Sequence, residues 1–142
     1  MRRRRNQRGN AALEVLMLLP VIMVLAGLVI AYSRVAMATE AVSSAASAAA
    51  RAAALERTPV NAYRAAAAVT DSILGSRELR CLTKTITVDT TGLSSPAGQS
   101  AQVTATVTCV VPFGDLGIPT KGTRTITHTA TAPVDTYRGR GR

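Results

Sequence analysis

Tryptophan is absent, and Tyr32, Tyr63, Phe113 and Tyr137 are the only aromatic residues. The apolar fraction is mostly Ala and Val, so any folded core must be thin and in need of extra restraint. Histidine is almost missing too. The single His128 lies between Thr127 and Thr129 on an alternating stretch, where it reads as an exposed structural residue rather than a catalyst. No Ser-His-Asp or Cys-His arrangement stands out, because that one histidine would have to serve and nothing marks its partners. Acidic residues are sparse. Beyond the apolar run, Glu40, Glu56, Asp71, Glu78, Asp89, Asp115 and Asp135 are scattered singly without calcium-loop spacing, so no metal is expected. No Gly-rich loop opens a helix to cradle phosphate, so no cofactor is expected either. The sequence does not read as an enzyme.

Cysteine occurs twice, as Cys81 and Cys109, both well beyond the apolar run. A lone pair in a small exported domain is most simply a disulfide; two buried thiols are the alternative if this part of the chain faces the cytosol.

What the chain does have is positive charge and one long apolar run. The net charge is +9, and Arg2, Arg3, Arg4, Arg5 and Arg8 supply five of the nine ahead of the first apolar residues. After Ala11, Ala12, Leu13 and Glu14, the stretch Val15 to Tyr32 runs eighteen residues without a charge, about the length that spans a bilayer. Because Lys and Arg flanking a span stay in the cytoplasm, the expected topology is a single pass with the N-terminus inside and residues after about Arg34 outside. The arginines are topology signals, and no nucleic-acid role is expected for them.

Three readings compete for this segment. A secretory signal would be cut at the small-residue site Ala36-Met37-Ala38, before Thr39, but the apolar run exceeds the usual ~7–15 residues and Arg34 intervenes. An uncut anchor gives no reason for Glu14, although a charge at mid-membrane costs about 2.5 to 3.5 kcal/mol and less near the boundary. The third reading supplies one. Arg8-Gly9 followed by Asn10-Ala11-Ala12-Leu13-Glu14 and a long apolar helix is the pattern of a prepilin signal, with Glu as fifth residue of the mature chain. A cut between Gly9 and Asn10 leaves the span as the anchor and creates a positive amine at Asn10, one helical turn from Glu14. That amine, or a neighbouring subunit's, makes the carboxylate tolerable in an assembly.

On these residues the chain resembles the TadE-like family of minor pilins or pseudopilins from tight-adherence (Flp-type) pilus systems. The likeness rests on Arg8-Gly9, Ala11-Ala12-Leu13-Glu14-Val15, Pro20 near the start of the apolar run, and the Ala-rich continuation Ala36 to Ala54 carrying Arg51. The stretch Ala130-Thr131-Ala132-Pro133-Val134-Asp135 is a weaker match. Val15 stands where such proteins commonly have an aromatic residue, and Asn10 is an atypical first residue, which leaves methylation of the amine open. The resemblance implies a structural role with these partners: a prepilin peptidase, an inner-membrane assembly platform with its cytoplasmic ATPase, a major Flp pilin and companion minor pilins. Membrane lipid would surround the span.

The helix should continue from Asn10 to about Glu56, roughly 70 Å, since Ser33 to Glu56 has neither Gly nor Pro and is dominated by Ala. Glu40, Ser44, Ser47 and Arg51 form a polar stripe on it, while Val42, Ala45, Ala49 and Ala53 form a smooth face suited either to other pilin helices or to the chain's own domain. Thr58 can cap a second helix with Pro59 at its first position, ending at Leu74 before Gly75. Period-two, β-branched stretches then predict strands at Cys81 to Thr90, Ala101 to Val111 and Thr123 to Ala132, joined by surface loops. Leu82, Ile86 and Val88 share one face, as do Val103, Val107 and Cys109, so Cys81 has the wrong parity for Cys109. Either a bulge lies near Cys81, or Cys81 precedes the strand and reaches across.

The expected fold is therefore α+β and pilin-like: a long N-terminal helix, a short second helix and a small three-stranded antiparallel sheet. Its segments are a basic leader (1–9), a transmembrane helix (10–33), an extramembrane continuation (34–57), a small outside domain (58–136) and a basic tail (137–142). The rival reading is a secreted or anchored small binding domain using that tail.

Overall fold

The computed structural model describes residues 7–96, 98–119 and 121–135, with side chains from Glu14 onward. Arg2 to Arg5 and the tail 137–142 lie outside the described residues. The order is α1 (Gln7–Leu55), α2 (Pro59–Ser76), β1 (Thr83–Asp89), a 3-10 turn (Thr91–Ser94), β2 (Ala101–Pro112) and β3 (Thr123–Val134). The fold is the expected α+β arrangement: a 49-residue helix, a shorter second helix and a three-stranded antiparallel sheet ordered β1-β2-β3.

Helix α1 passes through Pro20 without a break, on its apolar stretch, where freed backbone groups can be satisfied locally. Its outer part buries Ala38, Ala41, Val42, Ala45, Ala46, Ala49, Ala50, Ala53 and Ala54. This i, i+3, i+4 spacing is the stripe of a helix packed on a core, and the absence of side-chain bulk lets α1 lie close to what covers it. The cover is the chain's own α2 on one side and the sheet on the other, so the smooth face is filled from within.

Helix α2 starts as expected, with Thr58 Oγ1 accepting from the Asn61 N–H at 3.3 Å and Pro59 in the first turn. Its inward row is Ala62, Ala66, Thr70 and Leu74. The buried Thr70 hydroxyl donates to the Ala66 carbonyl at 2.8 Å, so it leaves no unmet polar group. The helix does not stop at Gly75 but runs to Ser76, and Glu78, at φ 53°, takes the left-handed turn instead.

Strand β2 is the centre of the sheet and alternates cleanly, burying Ala101, Val103, Ala105, Val107, Cys109 and Val111. Opposite it, β3 buries Ile126, Ala132 and Val134 on the same face. The other face is threonine-rich, and Thr106–Thr129 and Thr108–Thr127 are joined across the strands at 2.9 and 3.0 Å. His128 is not exposed as the sequence suggested. It is half-buried on the inner face, opposite Val107, because even-numbered β3 residues share the parity of Ile126. Its Nδ1 is buried without a hydrogen-bond partner among the described residues.

The connections are less peripheral than their Gly and Ser content predicts. In the 3-10 turn, Gly92 and Leu93 are buried against the distal end of the core. Asp89 receives the Thr91 N–H at 3.0 Å, and this bond, with the Thr91 hydroxyl, holds its carboxyl below the usual range. In the β2–β3 connection Leu116 is buried, while Gly117 at φ 74° lets the Arg34 side chain lie against the loop.

Candidate assembly site

The apolar run of α1 is uncovered along its whole length. Val15, Leu16, Met17, Leu18, Leu19 and every large apolar residue onward to Tyr32 are more than half exposed. Such a stretch is not a soluble core helix, since none of its most apolar window is buried inside the fold. It is long and apolar enough to cross a membrane and fits a membrane anchor at the N-terminal end of the chain.

Glu14 stands at the entry to this run and is exposed. Among the described residues the one ion pair is Lys84–Asp71, so Glu14 has no cation of the described chain against it. Gly9 and Asn10 lie in the first turns of α1, with their backbone helical. The backbone nitrogen of Asn10 is therefore about one turn, roughly 6 Å of helix rise, from the Glu14 position. A helical amine–carboxylate spacing of i, i+4 is within interaction range.

Cys81 and Cys109 are bonded, with their Cα atoms 5.3 Å apart. Cys81 precedes β1 and reaches across, so of the two geometries open from the sequence the loop reach is the one adopted and no bulge is needed. Leu82, expected to share the inner face with Ile86 and Val88, is 64% exposed. Its N–H still donates to the Val110 carbonyl at 2.8 Å, but the bend of backbone that seats the half-buried Cys81 against the core directs the next side chain outward.

The structure does not bring these residues together. Glu14 and the domain are separated by the apolar run, about 30 Å of helix between Glu14 and Arg34. The disulfide belongs to the domain and Glu14 to the start of the apolar run. Among the described residues no three His, Cys, Asp or Glu side chains converge to hold a metal. Sequence reasoning overlooked a set of arginines at the base of the domain, Arg34, Arg77 and Arg80, because α1 and the α2–β1 connection meet only in three dimensions.

No curated protein and no solved structure matches the chain. The model of one protein family does match, over residues 9–51, which take in the Gly9–Asn10 junction, Glu14, the uncovered apolar run and most of its buried extension. The family is described as TadE-like protein, and residues 9–51 are similar to it.

Proposed function

We propose that the chain is a minor pilin or pseudopilin of a tight-adherence (Flp-type) pilus, a structural subunit and not an enzyme. In this reading a prepilin peptidase cuts between Gly9 and Asn10, and residues 10–33 remain as a single-pass anchor with the N-terminus inside. The domain formed by residues 34–136 stands outside the membrane. Its partners are the assembly platform, the major Flp pilin and other minor pilins.

The observation that carries the proposal is Glu14: an exposed carboxylate at the entry to an uncovered apolar run, four residues after Asn10, in a segment matching the TadE-like family. An amine released at Asn10 supplies the cation that Glu14 lacks. In an assembly, a neighbour's amine can meet Glu14 in apolar surroundings, where a matched pair is tolerated and an unmatched charge is not. The continuity of α1 also supports this reading over secretory cleavage at Ala38. That residue is buried in the domain core, and a cut after it would detach Ala38 and Val35 from the residues they pack against.

The test replaces Glu14 by Leu. A merely tolerated polar residue predicts unchanged or improved function, since the anchor becomes more apolar. The assembly reading predicts that Glu14→Leu is inserted and cut after Gly9 but supports no pili, because each docked subunit would bury an amine without its partner. Breaking a buried pair in this way costs about 3–5 kcal/mol. Normal pilus numbers with cleavage verified would remove the mechanism.

A further inference from the structure

At the base of the domain, where α1 leaves its apolar run, a cavity of about 210 Å³ opens beside the helix. Arg34 and Met37 of α1 line it, with Arg77, Glu78 and Arg80 from the α2–β1 connection and Asp115 from the β2–β3 loop. Its size suits a phosphate with a short polar group and falls below the roughly 300–1,000 Å³ of pockets that enclose larger ligands.

Three features of this cavity go together. First, its cations are unspent. The one ion pair among the described residues is Lys84–Asp71, so none of the three guanidiniums is within 4.0 Å of a carboxylate. Arg34 Nη1 donates only to the Asp115 carbonyl, at 3.5 Å, leaving the rest of its fork of donors free. Second, the backbone is shaped around them. Glu78, between Arg77 and Arg80 in sequence, adopts φ 53°, which a residue with a side chain disfavours; Gly117 at φ 74° makes room for the Arg34 stem, since a Cβ there would sit 3.3 Å from Arg34 Cδ. Third, the position is fixed by the anchor. Arg34 follows the last apolar residue of the run, Tyr32, by two positions, or about 3 Å of helix rise. A run of eighteen apolar residues matches the hydrocarbon thickness, so the cavity lies at the headgroup level of the leaflet on the domain's side.

We infer that this cavity binds the headgroup phosphate of an anionic phospholipid, held by Arg34, Arg77 and Arg80. Guanidinium is the group best matched to phosphate, through paired N–H donors. Glu78 and Asp115 offset two of the three charges and leave one positive charge in excess, which favours an anionic headgroup over a choline headgroup. Bound in this way, the lipid fixes the domain's tilt and height on the membrane before assembly. The inference rests on the anchor reading of α1.

The test uses the full-length protein in vesicles of phosphatidylcholine mixed with phosphatidylglycerol, followed by gentle detergent extraction and native mass spectrometry. Wild type should retain one phosphatidylglycerol in preference to phosphatidylcholine. The double variant Arg77→Gln/Arg80→Gln should lose that preference roughly 25-fold, the attraction of one basic side chain near an anionic surface taken twice. Both arginines are exposed, so the domain should keep its disulfide and circular dichroism. The N-terminal arginines are present in both proteins and cancel. Equal retention by the variant overturns the inference, as does displacement of the lipid by inorganic phosphate, which would mark a free-anion site. Alkaline carbonate washing separates the two levels. Release of the chain from the vesicles overturns anchor and inference together, whereas a retained chain with unaltered lipid selection overturns the inference alone.

Discussion

Cys81 is bonded to Cys109, although the residue directly opposite Cys109 in the β1–β2 ladder is Lys84. The bridge therefore does more than reinforce a pair already set by hydrogen bonds. It ties the segment leaving α2 to the central strand, at the same end of the core as Leu74, Val111 and Leu116. Closing a loop between residues separated by 28 in sequence is worth about 3–4 kcal/mol by chain entropy. A core built largely of Ala has little stability in reserve against a total of about 5–15 kcal/mol. Paired Cys81→Ser and Cys109→Ser substitutions should lower stability by that amount. Denaturant unfolding of the full-length protein, with and without reductant, checks it, and reduction should have no further effect on the double variant.

Gly92 is the tightest point of the distal core. A Cβ there would meet the Gln102 carbonyl oxygen at 2.1 Å, a backbone atom that cannot swing aside as a flexible side chain could. Gly92→Ala should cost about 3 kcal/mol. The thermal midpoint of the domain should fall by more than about 10 °C, measured by circular dichroism in the β region. Gly75→Ala is the control, since its Cβ would meet nothing within 4 Å. It should be neutral or slightly stabilising, because Gly weakens a helix interior.

Much of this arrangement was legible because it is local. The cap at Thr58, the two helices and the three strands follow from capping chemistry, Ala content and β-branched alternation. What was not legible depends on contacts far apart in sequence. Gly75 marks a plausible helix end, yet the left-handed residue is Glu78, three positions later, where the connection turns toward β1. The stretch around Gly92 and Leu93 has loop composition, but Leu93 is drawn in to close the end of an Ala-rich core. Leu82 followed strand parity on paper and lost it because Cys81 is anchored elsewhere. The parity of His128 could have been found by counting from Ile126, whose apolar side chain marks the inner face. The Arg34–Arg77–Arg80 grouping left no sequence signal, since its members lie on two elements and at charge spacings that look like ordinary solvated residues.

The proposed processing gives a sharp mutational outcome. A peptidase site that accepts Gly at the residue before the cut has no room for a branched side chain, so Gly9→Val should block maturation almost completely and leave the precursor in the membrane. Immunoblotting of membrane fractions distinguishes the two forms by size. Normal maturation of Gly9→Val would take away the main chemical support for the leader.

The central claim is that the amine paired with Glu14 is created by a cut at one peptide bond, and the N-terminal residue of the protein recovered from its native envelope tests that most directly. Sequencing of the intact mature chain should begin at Asn10, with the anchor retained. A chain beginning at Thr39 would make the apolar run a discarded secretory signal, and one beginning at Met1 would make it an unprocessed anchor; either result would contradict the account.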